Sequence, residues 1–153
     1  MINQKDETAS AIGVSYVSNY IYIPRSIKYE SKEYVVTSVS NCAFTSQLRI
    51  KLIKFGQDSE IWMIESNALA ISKVEQFYLP ASVIELKEGW CRYTVDLKQV
   101  EIDPRNPRYS DIKNDGYDIF VFAVRDITEA LIPSYIKIIG LHAFNYCTKL
   151  QKP

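Results

Sequence analysis

The chain is poor in the side chains that active-site chemistry draws on. It holds one histidine, His142, and three cysteines, Cys42, Cys91 and Cys147, in 153 residues. No Cys-x-x-Cys pair and no histidine cluster is present, so the ligand spacing of a zinc site is missing. An odd number of cysteines also does not suit a disulfide-stapled secreted mini-domain. The three are expected as small buried residues at similar repeat positions. His142 falls between Gly140 and Ala143 and is expected as an exposed spacer, not as the base that activates Cys91 or Cys147.

Other absences narrow the function further. Neither phosphate-cradling pattern, G-x-x-x-x-G-K-S/T or G-x-G-x-x-G, occurs. Asp111, Asp115 and Asp118 lack the spacing of a Ca²⁺ loop and suit a solvated turn. Lys+Arg and Asp+Glu both total 18, so the basic excess of a nucleic-acid binder is missing. No run approaches the ~20 apolar residues that span a bilayer. The start, Met1 to Glu7, has neither the basic opening nor the apolar run of a signal peptide. No Asn-x-Ser/Thr acceptor occurs. The expectation is a cytoplasmic chain with no cofactor, metal, nucleic-acid partner or membrane insertion.

What is present is ordinary globular composition, 47% hydrophobic and 24% charged, with 11 tyrosines available as contact residues. The chain also repeats itself. Ile23-Pro24-Arg25-Ser26-Ile27, Leu79-Pro80-Ala81-Ser82-Val83 and Ile132-Pro133-Ser134-Tyr135-Ile136 share one pattern, with a looser copy at Ile102-Asp103-Pro104. Phe55 holds the same place, followed by Gly56 instead of Pro. These landmarks lie 32, 24, 23 and 30 residues apart, a basic period of 23 or 24 with two insertions. A second landmark, aliphatic-x-x-x-Ala-aromatic or Leu, appears at Val39 to Phe44, Ile64 to Leu69 and Ile139 to Phe144. In Leu86 to Cys91, Trp90 takes the part of the phenylalanine.

The spacing predicts short strands before each first landmark, at 73–79, 97–102 and 127–132. Val74, Phe77 and Leu79, like Leu97, Val100 and Ile102, point inward so that each repeat covers the next. Proline lacks a backbone donor and turns the chain out of the ladder. Tyr29 to Val36 alternates after a polar turn and predicts a hairpin over about 29–37. Asp115-Gly116 before the apolar run Tyr117 to Val124 predicts another within 105–125. Residues 1–18 read as a lead-in or cap and 19–153 as the repeat array. The fold class expected is mainly β: a right-handed leucine-rich-repeat solenoid with short helical or irregular return segments.

From Ile132 to Leu150 the chain writes Ile-Pro-x-x-Ile-x-x-Ile-Gly-x-x-Ala-Phe-x-x-Cys-x-x-Leu almost in full. This resembles the BspA-like leucine-rich repeat family of bacterial surface antigens, which is expanded in trichomonad protists. The wording of Glu88-Gly89-Trp90-Cys91, Asp103-Pro104-Arg105-Asn106 and Val121 to Asp126 is similar to the protist branch. The likeness covers roughly residues 14 to 153, with Leu69, Gly56 and Trp90 as departures. It implies a non-catalytic recognition surface, of the kind used by adhesins and surface antigens on host or matrix proteins.

Residues between the inward ones face out of the strands. They form a candidate partner-binding ridge: Tyr20 and Tyr22, Lys51 and Lys54, Gln76 and Tyr78, Gln99 and Glu101, Glu129 and Leu131. Tyr, Lys, Glu and Leu together suit protein contact. Tyr20, Tyr22 and Tyr78 would alternatively serve as glycan stacking platforms. The last repeat stops before a further strand, so more repeats or an edge-to-edge contact are expected there.

Overall fold

Alternation of large apolar with polar side chains sets the strands, and β-branched and aromatic residues fill them. The computed structural model describes residues 1–13, 18–110, 119–120, 128–129, 138–139, 143–144 and 147–151. Within these the strands are β1 (Ile2–Asn3), β2 (Thr8–Ala11), β3 (Tyr20–Ile23), β4 (Ser26–Tyr29), β5 (Lys32–Val39), β6 (Leu52–Phe55) and β7 (Met63–Ile64). They continue as β8 (Gln76–Leu79), β9 (Glu85–Leu86), β10 (Gln99–Ile102), β11 (Tyr109–Ser110), β12 (Ile119–Phe120) and β13 (Ile138–Ile139).

From β5 to β10 successive strands alternate between two sheets, in a β-solenoid of about 4 turns. The first sheet runs β10-β8-β6-β3 and is wholly parallel. The second runs β1-β2-β5-β7-β9, with β4 beside β5. A third, β11-β12-β13, is also parallel. No helix occurs among the described residues; the return segments are chains of turns.

Three inner columns make the core. Ile21, Ile53, Phe77 and Val100 lie in register across the first sheet, and all four are buried. Val39 and Ile64, both buried, and the half-buried Leu86 line up in the second sheet. Phe44, Leu69 and Cys91 form the third column, each five residues after one of those aliphatics, and all three are buried. Backbone bonds tie this third column together: Phe44 N–H donates to Ala68 O at 2.7 Å and Leu69 N–H to Trp90 O at 2.8 Å.

That alignment corrects one expectation. Trp90 does fill the core, its ring tilted against Phe77 with centroids 5.3 Å apart, but it stands in the alanine slot beside Ala43 and Ala68. Cys91 holds the phenylalanine slot. The large and small residues of the pair have exchanged places, so the layer stays filled with the volume supplied from the adjacent position. The cysteines need correcting too. Cys91 is buried, Cys147 is half-buried and Cys42 is exposed, so they do not occupy equivalent positions. Cys42 follows Val39 by three residues and turns a corner at φ 57°.

The corners repeat as faithfully as the core. Cys42, Asn67 and Gly89 all have left-handed backbones, at φ 57°, 55° and 68°. Ser46, Ile71 and Tyr93 do likewise, all at φ 58°. Bonds from Ser46 N–H to Ala70 O and from Ile71 N–H to Arg92 O hold this second set in line.

The first insertion is a hairpin, wider than the 29–37 expected. β4 and β5 pair antiparallel from Ser26↔Val35 to Tyr29↔Lys32, through Glu30 and Ser31 at φ 47° and 66°. Two successive positive φ values match the right-handed twist of the arms. The N-terminal lead-in contributes β1 and β2, and β2 extends the second sheet by pairing with β5. Of the second insertion, 111–118 and 121–127 lie outside the described residues, and the flanking pairs Tyr109↔Ile119 and Ser110↔Phe120 run parallel. The strand expected at 127–132 lies outside them except for Thr128 and Glu129, as do Pro133 and His142.

Candidate functional site

Because β3, β6, β8 and β10 are parallel and in register, residues at the same strand position line up across the sheet. Tyr22 lies opposite Lys54, and Tyr78 opposite Glu101. The pairs Leu52↔Gln76 and Ile53↔Phe77 fix the middle register, so these four make one outward row. Tyr20, Leu52, Gln76 and Gln99 make the next. Of the predicted ridge, these rows bring together Tyr20, Tyr22, Lys54, Gln76, Tyr78, Gln99 and Glu101. Leu52, not Lys51, stands opposite Tyr20.

Lys51 lies one position earlier, where Glu75 bridges it at 2.6 Å and Lys98 at 3.1 Å. Hydrogen bonding to Lys51 and Lys98 holds the Glu75 carboxyl below its ordinary pKa, and the same bond raises Lys51. These three charges largely satisfy one another. Glu129 is exposed, and Leu131 lies outside the described residues.

The outward rows keep exposed aromatic area: Tyr22 is 54% exposed and Tyr20 43%. Tyr78 is half-buried, and its hydroxyl donates to Asp103 Oδ2 at 2.6 Å. Burial, then the bond to Asp103, pushes the Tyr78 phenol up to about 12. Asp103 in turn accepts from Arg105 Nε at 3.1 Å and Nη2 at 2.9 Å, a fork that holds its carboxyl well below the usual range. This Tyr78–Asp103–Arg105 chain was not foreseen. Its signal was Asp-Pro-Arg-Asn, since Asp and Asn bond the backbone two residues on. Asp103 Oδ1 accepts from Arg105 N–H, and the fully buried Asn106 accepts from the N–H groups of Arg108 and Tyr109. Asn106 also donates to Pro80 O and Val83 O. These bonds lock the segment after β10 against the turn before it.

A cleft opens at the C-terminal ends of these strands. Gly56 N–H donates to Ile23 O and Asp103 N–H to Leu79 O, each tying a turn to its predecessor. The equivalent donor toward Phe55 would be Pro80, which has none. The β6–β8 ladder is accordingly made only at Leu52–Gln76 and Ile53–Phe77. The cleft measures about 680 Å³, with Lys54, Tyr78, Glu101, Asp103 and Arg105 among its walls. Gly56 fits beside it because a β-carbon there would meet Arg25 N and Tyr22 Oη at 3.0 Å.

Among the described residues no group of His, Cys, Asp or Glu is placed to hold a metal ion. No helix among them is long and apolar enough to cross a membrane.

The model of the BspA-type leucine-rich repeat region matches the chain in 6 copies, over residues 7–115 and 116–152. No curated protein matches. Among solved structures the chain is similar to the pneumococcal vaccine antigen PcpA, at 17% identity with a TM-score of 0.53, covering 90% of this chain and 40% of that one. It also matches a leucine-rich cell surface protein from Faecalibacterium prausnitzii A2-165, at 15% identity with a TM-score of 0.48, covering 99% of this chain and 51% of that one. The chain thus spans about half or less of the length of the structures it matches.

Proposed function

Because the chain belongs to the BspA-type leucine-rich repeat family, we propose that it is a non-catalytic module for protein–protein interaction whose recognition surface is the outward face of β3, β6, β8 and β10. The observation that carries this reading is the registered row Tyr22–Lys54–Tyr78–Glu101, with exposed aromatic and charged groups on a rigid sheet. Repeat solenoids present such continuous surfaces because every repeat contributes one strand to them. Of this row only Tyr78 packs against the core beneath, so Tyr22, Lys54 and Glu101 are free to vary without loss of the fold. The chain would act as a cytoplasmic scaffold.

The test is affinity capture from native cells with the intact chain and with a Tyr22→Ser/Lys54→Glu/Glu101→Lys variant. A control variant, Trp62→Ser/Ile84→Ser, alters exposed residues just before β7 and β9 of the other sheet. Partners retained by the control and lost by the first variant support the reading; the opposite pattern rejects it.

A second reading is favoured by the likeness to a vaccine antigen: a cell-surface module that engages a host or matrix protein or a glycan. Surface labelling of native cells separates it from the scaffold reading.

A further inference from the structure

The inference rests on the strand-face reading above and concerns what lies across that face. The row Tyr22–Lys54–Tyr78–Glu101 alternates aromatic, cation, aromatic, anion. Most other charges nearby are already engaged: Lys51, Glu75 and Lys98 with one another, and Asp103 with Arg105. Among the described residues, Lys54 and Glu101 have no ion-pair partner. Two uncommitted charges of opposite sign therefore stand two strands apart, with Tyr78 between them.

Their spacing selects a ligand conformation. Neighbouring strands lie about 4.8 Å apart, so like positions two strands apart are about 9.6 Å apart. An extended β-strand ligand puts same-side residues about 6.8 Å apart and slips out of step with this repeat. A polyproline II helix has three residues per turn at about 3.1 Å each, which returns the same side every 9.3 Å or so. Laid along the solenoid axis, it would place residue i over Tyr22 and residue i+3 over Tyr78. The residues following each would meet Lys54 and Glu101. Aromatic platforms are the usual partners of prolines in that helix. Tyr78 is suited to the part because its bond to Asp103 fixes the ring from below.

We propose that the strand face binds a polyproline II segment along the solenoid axis, with prolines three apart on Tyr22 and Tyr78, an acidic residue on Lys54 and a basic residue on Glu101.

Three short fluorescein-labelled probes test this by fluorescence polarisation on the intact chain: Pro-Glu-Ala-Pro-Lys-Ala, Pro-Glu-Ala-Pro-Glu-Ala and Pro-Lys-Ala-Pro-Lys-Ala. The wild-type chain is expected to prefer the mixed-charge probe over either of the others by about fivefold, because each of those exchanges one exposed ion pair for a like-charge contact. Lys54→Glu should switch the preference to the all-basic probe, and Glu101→Lys to the all-acidic one. Both substitutions alter exposed side chains, so the fold is retained. Replacing the prolines by serine, or Tyr22 by alanine, should weaken every complex. Equal binding of all three probes, binding of none, or a preference that ignores the two substitutions overturns the proposal. So does an oligosaccharide that displaces the probes and is indifferent to the two charges. The strand-face reading is judged separately, by the capture experiment. If the probes fail while the face variant still loses its partner, only the polyproline proposal falls.

Discussion

Ile71 is the residue least at ease with its backbone. It is β-branched, 53% exposed and held at φ 58°, where its neighbours in the same column are Ser46 and Tyr93. A left-handed backbone costs an L-residue roughly 1–2 kcal/mol, and branching at Cβ makes it worse. Ile71→Asn should therefore stabilise the chain by about 1 kcal/mol in denaturant unfolding; a loss of stability would show that the side chain contributes packing beyond its exposed surface. Asp103 makes the opposite case, a residue whose environment suits its charge. Its carboxyl is held down by Arg105 first, while burial acts against that and Tyr78 assists. A depressed folded pKa means that the stabilisation is full above the ordinary carboxylate value of about 4 and is lost as pH falls below it. Stability of the wild-type chain should thus decline below about pH 4 more steeply than that of Asp103→Asn. Parallel acid-unfolding curves would assign the decline to other carboxylates.

Between residues and the whole lies the repeat, whose unit is a filled layer. In two turns the layer is completed by Ala43-Phe44 and Ala68-Leu69, in the third by Trp90-Cys91. Trp90→Ala alone should cost about 3–5 kcal/mol. Adding Cys91→Phe should recover part of that loss, because the bulk returns from the slot Phe44 uses one turn along; a double variant no more stable than the single would disprove the exchange. The layers also explain how much could be read in advance. The inward columns follow from counting back by twos from Ile23, Phe55, Leu79 and Ile102, and the outward row Tyr22–Lys54–Tyr78–Glu101 is the residue just before each; these four strands are just four residues long. Counting four back leaves the strand for the corner, where alternation stops. That is why Lys51 falls in with Glu75, and Leu52 takes the place beside Tyr20. The Trp90 exchange was hidden for another reason: a two-residue pair preserves composition while swapping positions. The Tyr78–Asp103–Arg105 chain joins two turns, and no local pattern reports a contact between turns.

At the scale of the molecule, each turn buries its neighbour's apolar face and adds one strand to a common surface. On the proposed function, stability and recognition would be divided between the two sides of the same strands. Ile53 and Phe77 face in, Lys54 and Glu101 face out. Trp62 and Ile84, just before β7 and β9 of the second sheet, are exposed apolar residues. The account assigns binding to the first sheet, and one measurement tests that assignment most directly. A photo-crosslinking residue placed at Lys54 or at Trp62 in the intact chain, irradiated in native cells, reports which sheet meets a partner. The account predicts discrete protein adducts from Lys54 and background alone from Trp62; adducts from Trp62 with none from Lys54 would contradict it.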